Sequence, residues 1–173
     1  MKYPEFHQQI VTTLLEGKFI TQTDDLFYQL KKEEEFYVKF FKSSFGFDLH
    51  AQQEFYYLIS NETNETTSRN FSIFFSILCF ELDKQGKNFI DELNDHEFSL
   101  IDFVEIFNHS TWQEVIKINP QLNSEEGLKS IMNQMIRRNI VQQTKSNTYQ
   151  FTKAYLVFID FARSLVRSNE KSS

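Results

Sequence analysis

Twice along this chain an amphipathic helical pattern runs straight into two short β-prone segments. In the first instance residues 33–43 lead into Phe47-Asp48-Leu49 and then Phe55-Tyr56-Tyr57-Leu58-Ile59. In the second, residues 124–138 lead into Ile140-Val141 and then Tyr149-Gln150-Phe151. Helical spacing of apolar residues gives way to runs of β-branched and aromatic residues at the same point of each copy. Such a chain is confined to small domains in which a helix feeds a β-hairpin. With 20 Phe among 173 residues, small cores can be closed by few side chains, and the scarcity of Gly (4) and Pro (2) argues for compact, mostly helical structure.

A helix that delivers the chain into a hairpin is the centre of a winged-helix domain. We therefore expect a mainly α fold with short β-hairpins, of α+β class, built as tandem winged-helix domains. Residues 60–69 contain no apolar side chain and cannot contribute to a core, so the division expected is a first domain over 1–60, a polar linker over 61–69 and a second domain with a C-terminal helix over 70–173. In the first domain, Phe6, Ile10 and Leu14 mark a helix over 4–16 closed by Gly17, followed by an extended piece at Lys18-Phe19-Ile20. Thr23 is the expected cap of a second helix, and Phe36, Tyr37, Phe40 and Phe41 are the inward face of a third. In the second domain a helix over about 68–84 is apolar nearly all round, with Phe71, Phe74, Phe75, Leu78 and Leu82 on one stripe and Ile73, Ile77 and Phe80 opposite. Burial on both faces, against its own domain and against something else, is the expectation. Further helices are expected over 98–107, 110–118, 123–138 with an Asn123/Glu126 cap, and 153–167 with Val157, Phe158, Phe161 and Leu165 inward.

The net charge of −6 is unevenly spread. Residues 1–128 carry a net −12, whereas 129–173 carry 8 basic and 2 acidic side chains, a net +6. The basic segment is either a solvated helix face or a place where nucleic acid is met. A single cysteine, Cys79, excludes a disulfide framework within the chain and fits a reducing, cytoplasmic setting. The Met1–Phe6 segment lacks the apolar region of a signal peptide, and no apolar run approaches membrane-span length, so the four Asn-x-Ser/Thr matches carry no weight.

No chemistry-bearing constellation stands out. His7, His50, His96 and His109 are scattered, four glycines cannot build a phosphate loop, and Cys79 sits mid-stripe in an apolar helix. We expect no enzyme and no cofactor. Nucleic-acid contact is the live alternative, but each hairpin-feeding helix starts acidic, with Glu33-Glu34-Glu35 and with Glu125-Glu126. Carboxylates there repel phosphates, so base readout through either helix is not expected. What remains is weak, sequence-independent phosphate contact from Lys129, Arg137, Arg138 and Lys145 around the second hairpin, with Lys153, Arg163 and Arg167 as neighbours. For protein partners the candidates are Phe55 and Tyr57 on the first hairpin, whose strand is open to an added strand, and Phe74, Ile77 and Phe80 on the apolar helix.

The runs Leu14-Leu15-Glu16-Gly17-Lys18-Phe19-Ile20, Leu26-Phe27-Tyr28, Phe36 to Phe41, Gly46 to Leu49 and Phe55 to Leu58 resemble the first domain of MukE/MksE-type bacterial condensin subunits, of the kleisin-interacting tandem winged-helix (KITE) class. Leu128-Lys129-Ser130, Arg137 to Val141 and Tyr149 to Thr152 resemble the second domain of the same family. The similarity covers about residues 4–167 and rests on apolar spacing. Lack of a long charged C-terminal tail favours the shorter MksE type. The resemblance implies a non-catalytic, nucleoid-associated subunit that forms a homodimer, binds a MukF/MksF-like kleisin and sits against a MukB/MksB-like SMC ATPase, with weak non-specific DNA contact and no membrane. It implies a role in chromosome organisation and segregation or in defence against foreign DNA such as plasmids. A winged-helix transcription regulator is the alternative, and a generic helical scaffold is a third reading.

Overall fold

The computed structural model describes residues 3–59 and 65–160. The chain divides into two compact units, 1–63 together with 137–139, and 64–136 together with 140–173. The first unit runs α1 (His7–Leu15), β1 (Ile20–Thr21), α2 (Asp25–Lys32), α3 (Glu34–Phe45), β2 (Asp48–Ala51) and β3 (Phe55–Ile59). Its antiparallel sheet has the order β1-β3-β2. Gly46 ends α3 at a φ of 72°, a left-handed conformation that glycine reaches without a Cβ penalty and that turns the chain into β2. Helical spacing puts Ile10 with Leu14, Phe27 with Leu30, and Tyr37 with Phe41, and these pairs bury against Ile20 and Tyr56 of the sheet. Phe36 and Phe40 pack on this core half-buried.

Thr23 does not cap α2. Asp24 occupies the cap position, but its carboxylate turns back to accept hydrogen bonds from Thr21 N (2.6 Å) and Thr21 Oγ1 (3.0 Å). Two tyrosines tie α3 into the unit. The Tyr56 hydroxyl donates to Glu34 Oε2 at 2.6 Å, and burial first, then this bond, holds its pKa well above 10. The Tyr37 hydroxyl is buried with no hydrogen-bond partner among the described residues, and burial, helped by the Glu33 charge, pushes its pKa up to about 12. An unfolded tyrosine ionises near 10, so the folded chain holds these protons more tightly. That stability is fully present below about pH 10 and drains away as pH rises through the folded values. Tyr37→Phe is therefore expected to flatten the alkaline loss. Because it removes a hydroxyl that pairs with nothing, it is also expected to leave neutral-pH stability unchanged or raise it by up to about 1 kcal/mol. Urea titrations at neutral pH and near pH 11 check both outcomes.

The second unit runs α4 (Glu65–Lys84), α5 (Phe89–Asp95), β4 (Phe98–Ser99), α6 (Leu100–His109), α7 (Gln113–Ile118), α8 (Glu125–Arg137), β5 (Val141–Lys145) and β6 (Thr148–Phe151). A 3₁₀ turn at Lys153–Tyr155 and helical residues 156–160 follow. The sheet order is β4-β6-β5. A core of Phe71, Phe74, Phe75 and Leu78 from α4 meets Phe103 and Phe107 from α6, Met132 and Met135 from α8, and Phe151 from β6. In a helix expected to be 153–167, Phe158 is buried as anticipated, while Phe161 and Leu165 lie outside the described residues.

Several expectations for this unit need correction. α4 already begins at Glu65, inside the polar stretch read as a linker, because a glutamate in the first turn is favoured by the helix dipole even without apolar neighbours. Phe98 and Ser99 form a strand instead of opening a helix. The Ser99 hydroxyl accepts from Asp102 N (3.1 Å) and the Asp102 carboxylate accepts from Ser99 N (2.6 Å), a capping box that starts α6 at Leu100. Counting from Leu100 puts Phe103 and Phe107 inward and leaves Ile101 67% exposed. α8 is capped by the Ser124 hydroxyl, which accepts from Gly127 N at 3.0 Å, whereas Asn123 donates to the Lys117 carbonyl.

The two units repeat one another in detail. Each sheet places its third strand in the middle. Thr21 bonds to Asp24 as Ser99 bonds to Asp102. Ile20 pairs with Tyr56 as Phe98 pairs with Tyr149. Gly46 after α3 and Asn139 after α8 share the left-handed conformation. The chain is thus mainly α with two small antiparallel sheets, an α+β fold, and this element order is compatible with a winged helix in each unit.

One buried charge organises the corner between α6 and α7. Glu81 is 6% exposed, and its Oε1 accepts from Ser110 Oγ (2.7 Å) and Thr111 N (3.3 Å). Ser110 Oγ in turn accepts from Trp112 N, and the Gln113 amide donates to the carbonyls of Phe107, Asn108 and Ser110 that end α6. Glu81→Ala leaves a buried hydroxyl and a backbone N–H without their acceptor. A loss of about 2–3 kcal/mol in urea unfolding is expected, with Glu81→Gln retaining part of it.

Candidate partner and nucleic-acid surfaces

Both hairpin-feeding helices carry carboxylates in the first turn, Glu34 and Glu35 on α3 and Glu125 and Glu126 on α8. The dipole that stabilises them there is the same field that would otherwise draw a phosphate. Glu34 is further committed to Tyr56. Neither helix start is set to receive a DNA backbone.

The four basic candidates do not fall in one unit. Lys129 lies exposed on α8 and Lys145 exposed at the end of β5, both in the second unit, whereas Arg137 and Arg138 group with the first. Arg137 is exposed, while Arg138 is half-buried and burial lowers its guanidinium pKa. Lys153 donates to Asn94 Oδ1 (2.9 Å), which also accepts from the Tyr155 hydroxyl, so this lysine pins α5 to the turn after β6. Arg163 and Arg167 lie outside the described residues.

The partner-facing candidates separate more sharply. Phe55, Phe74 and Ile77 are core residues, at most 3% exposed. Their side chains are packed inside their own units. The reason is local: Phe55 begins the central strand β3, and Phe74 and Ile77 turn toward the aromatic core rather than away from it. Tyr57 is half-buried, between the rings of Phe19 (5.2 Å) and His50 (5.3 Å). Phe80 remains, 44% exposed, with its ring 5.7 Å from that of Trp112 in an edge-on contact. α4 is therefore not buried all round, and its outer face is open. Trp112, 45% exposed and held by the Glu81 corner, was not singled out from sequence, although a lone tryptophan before a short helix is a signal of this kind.

Two open cavities lie among the described residues. One of about 610 Å³ in the first unit is lined by Gln9, Thr13, Ile20, Leu26 and Gln29, and one of about 310 Å³ in the second by Lys87, His96, Asp102, Glu105 and His109. Among the described residues no group of three or more His, Cys, Asp or Glu side chains is set to hold a metal ion, and no helix is long and apolar enough to cross a membrane.

Against known families, the model of the condensin complex protein MksE matches residues 5–163, a span that includes both helix-to-hairpin repeats. The chain belongs to the MksE family. No curated protein matches it. The MksE-family chain is accordingly an accessory component of a condensin-like complex, and its surfaces are to be understood as those of an assembling subunit.

Proposed function

We propose that this MksE-family chain is a non-catalytic KITE subunit of a bacterial SMC complex, made of two winged-helix domains. In this reading it forms a homodimer, binds the kleisin subunit and sits against the SMC-like ATPase at the nucleoid, for chromosome organisation and segregation or for defence against foreign DNA. The observation that carries the reading is the repeated helix-to-hairpin unit whose two would-be reading helices both begin with carboxylates. A fold used for base readout, built twice with the sign that repels phosphate, suits protein binding. DNA contact is then weak and sequence-independent, through Lys129, Arg137 and Lys145, with Arg138 contributing less because of its burial.

Co-expression with the neighbouring kleisin and SMC-like proteins is expected to give a complex that survives purification. Absence of any such complex sinks the reading. Enrichment of one operator-like sequence from random duplexes would instead favour a winged-helix transcription regulator. Charge reversal at Arg137 and Lys145 is expected to lower the salt slope of complex-dependent DNA binding, and an unchanged slope would leave only a scaffold role.

A further inference from the structure

His7, the first residue of α1, is held by aromatic rings and by no hydrogen bond at its Nδ1. Its ring stacks with that of Tyr3 at 4.4 Å and with that of Tyr37 of α3 at 5.7 Å. Phe36 and Phe40 of α3 meet it edge-on at 5.8 and 4.8 Å. The Nδ1 atom is buried and has no partner among the described residues. The helix end it occupies is weakly capped. Phe6, at the cap position, has a φ of 61°, a left-handed conformation that strains a residue with a Cβ, and its side chain makes no cap bond. We propose that His7 is a proton-sensitive clasp, which when neutral pins residues 3–6 and the first turn of α1 onto α3, and when protonated frees them and uncovers Phe36 and Phe40. The clasp lies wholly in the first unit and does not depend on the function proposed above.

A neutral imidazole suits this place and an imidazolium does not. Protonation makes both ring nitrogens donors, and the buried Nδ1 would then carry a proton with no acceptor. The charge loses its water among four rings. It also falls at the positive end of the α1 dipole, which disfavours a cation. The tyrosine faces alone favour the charge, as cation–π partners. Burial prevails over them and holds the His7 pKa below its usual value. Of the rings packed against it only those of Tyr3 and Tyr37 titrate, and a phenol ordinarily ionises near about 10. The charged side chains on the same elements are Glu5 beside Tyr3 and Glu33, Glu35 and Lys39 on α3. Glu33 acts on Tyr37, whereas burial is the only cause of the shift at His7. The sign follows. A histidine released to water ionises near about 6.5, so above about pH 7 neither state holds the proton and the clasp is at full strength. As pH falls below that value the open state takes up a proton that the closed state refuses. The opening equilibrium then rises by up to about tenfold per pH unit, until the lower pKa of the closed state is reached.

The test is an NMR titration of the full chain, combined with hydrogen exchange at the Ile10 amide, which donates to the Phe6 carbonyl at 3.0 Å and so reports the first turn. Exchange is taken as a ratio to the amides of α2 in the same sample, which removes the intrinsic effect of pH. In the wild type the His7 ring is expected to titrate below about 6.5, and the ratio to rise about tenfold or more as pH is lowered from about 7.5 to about 5.5. His7→Phe keeps a ring in the stack and removes the titrating group, so its ratio is expected to stay flat over that range. A wild-type His7 that titrates at or above about 6.5 overturns the clasp, as does a flat wild-type ratio. A ratio that rises as steeply in His7→Phe also overturns it and places the acid sensitivity elsewhere in the unit. The wild-type titration and exchange need no variant, so they decide the matter even where His7→Phe does not fold.

Discussion

Phe74→Ala is expected to cost the second unit about 3–5 kcal/mol, a large share of what a domain of this size has to lose. The ring is fully buried and touches four others: Phe107 stacked at 5.2 Å, Phe103 and Phe75 edge-on at 5.4 and 5.5 Å, and Phe151 at 6.5 Å. Removing it leaves a void between α4, α6 and β6 whose rigid aromatic walls collapse poorly. Phe80→Ala, two turns along the same helix, deletes the same atoms from a half-solvated site and is expected to change stability by less than about 1 kcal/mol. Urea titrations compared at their midpoints check the pair. A near-equal loss at both positions would contradict the burial that distinguishes them. The contrast also decides which variant is useful in binding experiments, since loss of a partner in Phe74→Ala reports unfolding, whereas loss in Phe80→Ala reports contact.

Gly127→Ala is expected to destabilise the chain although alanine is the better helix former. In an open helix this exchange gains about 1 kcal/mol. Here the added Cβ would lie 2.4 Å from the Pro120 carbonyl oxygen and 2.9 Å from two backbone atoms of Gln121. Backbone cannot swing aside as a flexible side-chain tip can. Either α8 withdraws or the 119–122 loop shifts, and that loop is fixed by the Asn119 and Gln121 amides on Asn70 of α4. A net loss of about 2–4 kcal/mol follows from overpacking of this kind. Gly127→Ser should lose at least as much. A thermal melt of Gly127→Ala at or above the wild-type midpoint would show that the approach of loop to helix is looser than these distances.

The helix-to-hairpin repeat was legible because it rests on a change of period and on Phe and Tyr at regular places, and both survive in a single sequence. The left-handed Gly17 after α1 was legible because few other residues take that conformation. What escaped notice was set by contacts distant along the chain. β1 and β4 have two residues each and exist because a central strand is there to pair with them. Helix α5 hangs on the Asn88 side chain, which accepts from Ile90 N and Asp91 N, and on one buried leucine, too little for a periodicity. Phe55 and Phe74 were read as contact residues because aromatic character alone does not tell a core ring from an exposed one. The faces of α4 illustrate the limit. Its apolar residues run nearly all the way round, and only the positions of α6 and β6 decide that Phe74 turns in and Phe80 out.

A chain assembled twice from like parts risks exchanging them, one hairpin taking the place of the other while the protein folds. The two outer strands are marked against it. β2 presents Asp48 and His50 and pairs with β3 without interruption, whereas β5 is Gln-Gln-Thr-Lys beyond its first residue and its pairing with β6 is broken by a bulge between Gln143 and Lys145. A strand from one repeat laid on the sheet of the other meets the wrong register at that bulge, and side chains of the wrong face follow from the slip. The irregularity in the second hairpin thus gives the two repeats pairing patterns that cannot be superposed strand for strand.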